Sequence, residues 1–262
     1  MSRQFPVLLA LPIAVFFNFQ TAFAQDNLNP ASQNDSLLLV QKKNSYKLTV
    51  TKLIIPGAFI TYGFASLKVP SLKQLNTSTR NEILEDNFKH VMWDNYTQYA
   101  PAVLAYGFNA VGITAKQNFK DMTIVYLTSQ IITAAITEPL KRIIREKRPD
   151  NSDNLSFPSG HSATAFSSAQ FLFLEYKDSN LWLSLVGYPI ALYTAYYRVI
   201  NDKHWVGDVV AGAGVGILST QLAWSLYPKL HSLFSRKNKK STTIILPMYQ
   251  NKSVGIQIAK TF

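Results

Sequence analysis

The sequence contains no cysteine, which excludes disulfide bonds and metal sites built on thiolates. Acidic residues are scarce: 15 Asp and Glu stand against 26 Lys and Arg, so the formal net charge is +11. Such an excess suits an anionic membrane surface, nucleic acid or a phosphorylated substrate. Because the basic residues are not interleaved with aromatics in any recognisable repeat, we predict no nucleic-acid partner.

Long unbroken apolar runs are also missing, although hydrophobic residues make up 47% of the 262 residues. Apolar segments lie at 50–66, 99–115, 121–137, 161–174, 181–199 and 206–226. Their length and lack of strict alternation predict helices. None is a clean run of about 18 apolar residues, so each suits a membrane span or a helix in a soluble core. We predict an all-α bundle of about six helices that spans the membrane; the alternative is a soluble exported bundle.

The first 24 residues have the features of a secretory leader. Arg3 supplies a positive charge, residues 5–19 an apolar core, and Ala22-Phe23-Ala24 a small-x-small cleavage site. An uncleaved membrane anchor is the alternative. Both interpretations place the protein in the cell envelope.

The composition predicts four regions. They are a signal peptide at 1–24, an exported linker at 25–49, a helical domain at 50–235, and a basic tail with a short β-hairpin at 236–262. Alternating apolar residues after position 242 indicate the hairpin, joined through Gln250–Ser253. Within the helical domain we also expect an amphipathic connecting helix at 78–92 and a close helix approach at Gly212 and Gly216.

The first polar cluster pairs Lys141 with Arg148, seven residues later. Seven residues are about two helical turns, so we predict that both face one side of a helix ending at Pro149. Two cations there would neutralise the non-bridging oxygens of one phosphate, with the arginine bidentate. Taken alone, a basic helix end is more typical of a solvated face or a lipid-headgroup contact.

The second cluster is Pro158-Ser159-Gly160-His161, directly before an apolar run. Ser159 suits an N-cap, and Gly160 lets the backbone approach a ligand closely. The first amides of the helix would then point at an anion, and His161 would stand beside it as a proton donor. A single histidine near a helix start is more often structural.

The third cluster contains Arg198, His204 and Asp208. The last two are four residues apart, so we predict that they share a helical face. A carboxylate on one ring nitrogen fixes the histidine tautomer and leaves the other nitrogen free to attack phosphorus. By itself, the pair equally suits an ordinary hydrogen bond on a helix face.

Taken together and in this order, the three clusters closely resemble the type 2 phosphatidic acid phosphatase and vanadium haloperoxidase superfamily. The motifs are lysine with six residues before Arg-Pro, then Pro-Ser-Gly-His, then arginine with five residues before histidine and three before aspartate. The resemblance spans about Glu138 to Ala211. One position departs from it: the family often has serine before the third arginine, where this chain has Tyr197.

The resemblance implies a role for each matching residue. His204 would be the nucleophile, oriented by Asp208, and His161 would protonate the leaving alcohol. The phosphate-binding residues would be Lys141, Arg148, Ser159, Gly160 and Arg198. It implies no metal and no other cofactor, since three cations and the helix amides would stabilise the charge.

The order of helices and the positions of basic residues favour an active site on the outer side of the membrane. If the leader is cleaved and segment 50–66 lies in or on the surface, five spans place all three clusters outside. The basic run at 236–240 then lies inside, as the positive-inside tendency requires.

We therefore expect a metal-independent phosphatase that hydrolyses a lipid phosphate or diphosphate through a phosphohistidine intermediate, with the membrane and the lipid as its partners. The alternatives are a soluble exported acid phosphatase of broad specificity in the periplasm, a vanadate-dependent haloperoxidase, and a non-catalytic membrane protein. The short chain disfavours the haloperoxidase. Intact His161, His204 and Asp208 disfavour the non-catalytic protein.

Overall fold

The computed structural model describes residue 46 and residues 48–86, 90–234, 243–250 and 253–260. The predicted signal peptide, most of the predicted linker and the basic run at 236–240 lie outside these residues. The helices are α1 (Val50–Ser66), α2 (Pro70–Glu85), α3 (Asp94–Thr97), α4 (Ala100–Ala110), α5 (Phe119–Ile144), α6 (Gly160–Tyr176), α7 (Leu181–Leu185), α8 (Gly187–Ile200) and α9 (Val206–Phe234). Two strands, β1 (Thr243–Gln250) and β2 (Ser253–Lys260), pair antiparallel, with Thr243 opposite Lys260.

Helix α6 lies at the centre of the bundle and packs against α4, α5, α8 and α9. The contact between α6 and α9 is close because α9 carries glycines where it meets α6. A Cβ atom at Gly212 would lie 2.5 Å from the Ser159 backbone oxygen, and one at Gly216 would collide with the Ala163 oxygen. The predicted close approach at these two glycines is confirmed. It brings the start of α9 beside the start of α6.

Within the described residues the bundle is helical, which confirms the all-α prediction. Its helices outnumber the predicted six for two reasons. The segment predicted as one helix at 181–199 is broken between α7 and α8, because Pro189 has no N–H to continue the helical hydrogen bonds. The connection between α1 and α4 also contains the additional helices α2 and α3.

The connecting helix predicted at 78–92 is wrong in position. Helix α2 begins at Pro70, a residue favoured in the first helical turn, and ends at Glu85. Its buried residue is Asn76, whose side chain accepts a hydrogen bond from the Gly207 amide. Among the described residues of the predicted helix, Leu84 on its expected apolar face is 47% exposed.

Among the described helices, α9 is long and apolar enough to cross a membrane: its mean hydropathy is 1.4, and 72% of the apolar window is buried inside the bundle. Helices α1 and α2 satisfy the same criteria only as a pair bent by 86°, which is the geometry of a broken span or a re-entrant loop. The other predicted spans do not meet these criteria. The five-span arrangement therefore stays a prediction.

Candidate active site

Much of the predicted site lies on two loops that lead into α6 and α9. The first is residues 145–159, between α5 and α6, and the second is residues 201–205, between α8 and α9. Helix α5 ends because Arg145 adopts a left-handed conformation with φ 53°. Arg148 consequently lies in the loop, and the prediction that it shares a helical face with Lys141 is wrong. Its guanidinium donates to Asp153 (Nε–Oδ1 2.7 Å) and to the Lys203 backbone oxygen (Nη1–O 3.3 Å).

Lys141 comes from the last turn of α5 and is buried, with 8% of its surface exposed. Its Nζ donates to the Leu155 backbone oxygen at 2.8 Å, and its side chain passes beside Gly160. The charges of Lys141 and Arg148 act on each other despite the loop between them. The loop therefore brings together two cations that the helix does not.

Ser159 caps the start of α6, as its position before the apolar run predicts. Its hydroxyl accepts from the Ser162 amide at 3.4 Å, and its own amide donates to the Asp208 backbone oxygen at 3.0 Å. The first turn of α6 leaves backbone N–H groups without helical partners. Those groups start at Gly160, beside Lys141.

His204 lies in the loop before α9, whereas Asp208 lies in the first turn of that helix. The prediction of a shared helical face is therefore wrong, but the two side chains still meet: His204 Nδ1 is 3.6 Å from Asp208 Oδ2. The turn is closed by the Trp205 amide, which donates to the same oxygen at 3.0 Å. Ser156 also donates to it, at 2.5 Å.

The imidazole of His204 is buried, with 2% of its surface exposed. This desolvation lowers the pKa of His204 to about 4, against the opposing effect of Asp208. The ring is therefore neutral at pH 7. With Nδ1 facing the carboxylate, the hydrogen belongs on Nδ1, and Nε2 carries the free lone pair.

Arg198, near the end of α8, is held by Asp94 of α3, with an Nη1–Oδ2 distance of 2.7 Å. Asn201 donates to the other oxygen of Asp94 at 3.3 Å. The Nε atom of Arg198 is buried and has no hydrogen-bond partner among the described residues. A buried guanidinium N–H without an acceptor is costly, and an anion oxygen would satisfy it.

His161 contacts Asn95, the residue after Asp94 in α3, with 2.9 Å between His161 Nε2 and Asn95 Oδ1. An amide oxygen only accepts, so this contact places a hydrogen on Nε2. The charges of Arg198, Lys141 and Arg148 all reach the ring. Those of Arg198 and Lys141 also reach His204.

A cavity of about 700 Å³ opens beside Arg198. Its lining includes Asp94, Asn95, Arg198 and Lys203, together with apolar residues that precede α3. Of the eight predicted site residues, Arg198 is the one among the residues lining this cavity. The charges of Arg198 and Lys141 act on both histidine rings, which places a buried neutral histidine and an N–H donor without an acceptor close to basic groups. Such an arrangement suits a phosphate ester.

The comparison with protein families covers the same residues. Positions 123–232 match the family model described as the PAP2 superfamily. This segment belongs to the PAP2 superfamily. It contains all eight predicted site residues and ends before β1, so it lends no support to a β-hairpin as part of the family fold.

Relatives of this PAP2 segment include lipid phosphatases. A lipid A 1-phosphatase of Porphyromonas gingivalis is 32% identical over 52% of this chain and 31% of its own length. A putative phosphatidate phosphatase of Drosophila melanogaster is 32% identical over 38% of this chain and 26% of its own. The chain thus spans less than a third of either relative.

One solved structure, that of LpxE from Aquifex aeolicus, covers 64% of this chain and 92% of its own at 19% identity, with a TM-score of 0.39.

Three side chains of the site are absent from the sequence prediction. Ser156 lies in the PAP2 segment but outside the motifs, and only its position two residues before Pro158 would have suggested it. Asp94 and Asn95 lie outside the segment. They belong to a helix of four residues, too short for any periodicity to indicate.

Proposed function

We propose that this protein is a phosphatase that hydrolyses a lipid phosphate or diphosphate through a phosphohistidine intermediate. The observation that carries the proposal is the buried Nε of Arg198, an N–H donor without an acceptor among the described residues. Its charge reaches the neutral His204 ring. A phosphate group between the two would place an oxygen where it accepts from the Arg198 Nε–H, and its phosphorus beside Nε2 of His204.

In the first step, Nε2 of His204 attacks phosphorus with its lone pair. The bond between phosphorus and the alcohol oxygen breaks, and the electrons leave with that oxygen. Burial lowers the pKa of the His161 ring to about 4, and the negative charge of a bound phosphate would raise it again. The imidazolium formed with the substrate gives one proton to the alkoxide, so that a neutral alcohol departs and a neutral ring remains. Asp208 stabilises the positive charge that develops on the His204 ring.

In the second step, a water molecule attacks the phosphorus of the phosphohistidine. His161, now neutral, takes a proton from the water, and the bond between nitrogen and phosphorus breaks. Orthophosphate leaves and both histidines return to their starting states. The charge on phosphorus is stabilised in both steps by Lys141, Arg148 and Arg198, with the Ser159 and Gly160 backbone beside them.

A lipid substrate is favoured by the surface around the cavity. Met92 lines the cavity, and Trp93 and Tyr96 are next in sequence to its lining residues Asp94 and Asn95. All three are strongly exposed, between 64% and 76%. Exposed aromatic residues next to a polar site are typical of a membrane interface. We infer that the mouth faces the headgroup region on the outer side of the membrane.

Membrane embedding is favoured by the outer faces of the bundle. Large apolar side chains are exposed on α4, α5 and α8, among them Val103, Ile131 and Leu192. In water such an apolar surface would promote aggregation, whereas in a membrane lipid would cover it. The alternative, a soluble exported acid phosphatase, is favoured by a different observation: α9 is mostly buried within the bundle, as a core helix of a soluble protein would be.

The test is phosphate release by the purified full-length protein in detergent. Long-chain phosphatidate in mixed micelles is compared with p-nitrophenyl phosphate, each with EDTA present and with and without vanadate. We expect release from the lipid in EDTA and inhibition by vanadate. Equal rates on both esters would favour the soluble acid phosphatase, and no release from either would refute the phosphatase proposal.

A further inference from the structure

A second carboxyl group lies against Asp208, from a residue outside the recognised motifs. Glu146 is in the loop after α5, and its backbone oxygen accepts from the Ser156 amide at 3.0 Å. Its side chain is within hydrogen-bonding reach of the Asp208 carboxyl. One oxygen on each residue, Glu146 Oε2 and Asp208 Oδ1, is shielded from solvent and has no hydrogen-bond partner among the described residues.

The two oxygens of Asp208 differ sharply. Oδ2 accepts from the Trp205 amide and the Ser156 hydroxyl, and it faces the His204 ring. Oδ1 has none of these donors. Two ionised carboxyls cannot lie side by side in a desolvated site without a large cost, whereas one shared proton satisfies both.

We infer that Glu146 is protonated in the resting protein and donates its hydrogen to Oδ1 of Asp208, which makes it a positioning residue for His204. The proton fixes the plane of the Asp208 carboxylate and so aims its other oxygen at His204 Nδ1. The catalytic consequence depends on the proposed phosphatase function. The protonation itself does not.

The surroundings of Glu146 favour its acid form. Burial, followed by the negative charge of Asp208 and the hydrogen bond with it, raises the pKa of Glu146 to about 9. Lys73 of α2 is the opposing charge. The other titratable groups that act on Asp208 are His204 and, at longer range, Lys141.

The pH dependence of stability has a definite sign. The pKa of Glu146 is higher in the folded protein than its ordinary value of 4.5, so the folded state holds a proton that the unfolded state releases. Stability from this group is fully present below about 4.5 and is lost as pH rises toward about 9. A glutamine keeps a hydrogen donor but has no proton to lose.

The experiment compares Glu146→Gln, Glu146→Ala and the matched control Glu85→Gln, which makes the same substitution at an exposed position at the end of α2. Thermal unfolding is followed between pH 5 and pH 9 in detergent. We expect the melting temperature of Glu146→Gln to rise relative to that of wild type as pH increases, and that of the control to follow wild type. A difference that does not change with pH would overturn the inference.

Kinetics supply the second readout. At pH 7 Glu146→Gln should keep kcat within about threefold of wild type, whereas Glu146→Ala should lower kcat by about 10- to 100-fold at unchanged KM. The fall of wild-type activity near pH 9 should be absent from Glu146→Gln. Equal losses in both variants would overturn the inference, since they would mean that the negative charge is required.

The two experiments also separate the inference from the proposed function. A wild-type protein that releases no phosphate contradicts the function, yet the melting temperatures still report the proton on Glu146.

Discussion

The two histidines of the site are held in different ways. The His204 side, which we call the inner half, contains Ser156 and Asp208, so every partner comes from residues 145–208. On the His161 side, the outer half, the ring meets Asn95 of α3, a residue far away in sequence. The outer half also contains Arg198, which is bound by the preceding residue of α3.

This difference separates two tasks. The inner half is buried, lies wholly inside the PAP2 segment and holds the ring of His204, the proposed nucleophile, in one tautomer, as preorganised chemistry requires. The outer half opens to a cavity, has an unfilled N–H donor on Arg198 and depends on α3, which lies outside the segment. We infer that the inner half supplies the nucleophile and that the outer half binds the ester and transfers the protons.

The largest expected effect comes from removing His204, the proposed nucleophile of the inner half. His204→Ala should lower phosphate release by a factor of about 10⁴ or more, because the other two side chains of the inner half, Ser156 and Asp208, are hydrogen-bonded to each other and would not replace the imidazole as the nucleophile. Labelled substrate should also fail to label the protein. Phosphate release by a malachite green assay and acid-labile labelling measure the two outcomes.

The matched control is His231→Ala, which removes a histidine near the far end of α9, where it lies 3.8 Å from Asp121. It should leave turnover unchanged. If His204→Ala stayed active, the nucleophile would have to be reassigned and the division into halves abandoned.

Lys141 joins the two halves, since its charge reaches both histidine rings. Lys141→Ala should therefore raise KM by about 10- to 100-fold, the loss expected for one charged hydrogen bond to phosphate, with a smaller change in kcat. Steady-state kinetics on a lipid phosphate separate the two constants. A fall in kcat alone would place Lys141 in the inner half.

The sequence predicted more of the inner half than of the outer half. Residue spacing was enough for His204 and Asp208 to be paired, because a short turn brings them together whether or not both are helical. Spacing did not predict the position of Arg148. The left-handed backbone at Arg145 ends α5 early, and an arginine is not a residue type that indicates such a helix end.

For the outer half the limit is physical. The partners of His161 and Arg198 come from a short helix about a hundred residues away from Arg198, and only the packing of α3 against α8 and α6 brings them close. No local periodicity encodes that contact.

A charge change in α3 tests the outer half directly. Asp94→Asn removes one negative charge beside the anion site, so vanadate should inhibit about three- to tenfold more strongly at low salt. It also leaves the buried guanidinium of Arg198 without its counter-charge, which should cost about 3 kcal/mol of stability. Inhibition titrations and thermal unfolding measure the two effects. Weaker inhibition would show that Asp94 serves mainly to aim Arg198 at the ester.

The smallest effect is expected at Tyr197, the position where this chain departs from the family pattern. Its ring packs against Tyr193 (centroids 4.5 Å apart) and Tyr196 (5.7 Å apart), and it is not among the residues that line the cavity beside Arg198. Tyr197→Ser should therefore change kcat and KM by less than about threefold, and lower stability by about 1 kcal/mol through lost aromatic contacts.

Tyr193→Ser is the matched control, because it removes a partner of the same aromatic cluster from one turn earlier in α8. The two variants should lose similar stability and leave turnover similar. A loss of turnover above tenfold in Tyr197→Ser alone would mean that the ring, although outside the cavity, sets the position of Arg198. The outer half would then include Tyr197 on α8, and this tyrosine would contribute to substrate specificity through Arg198.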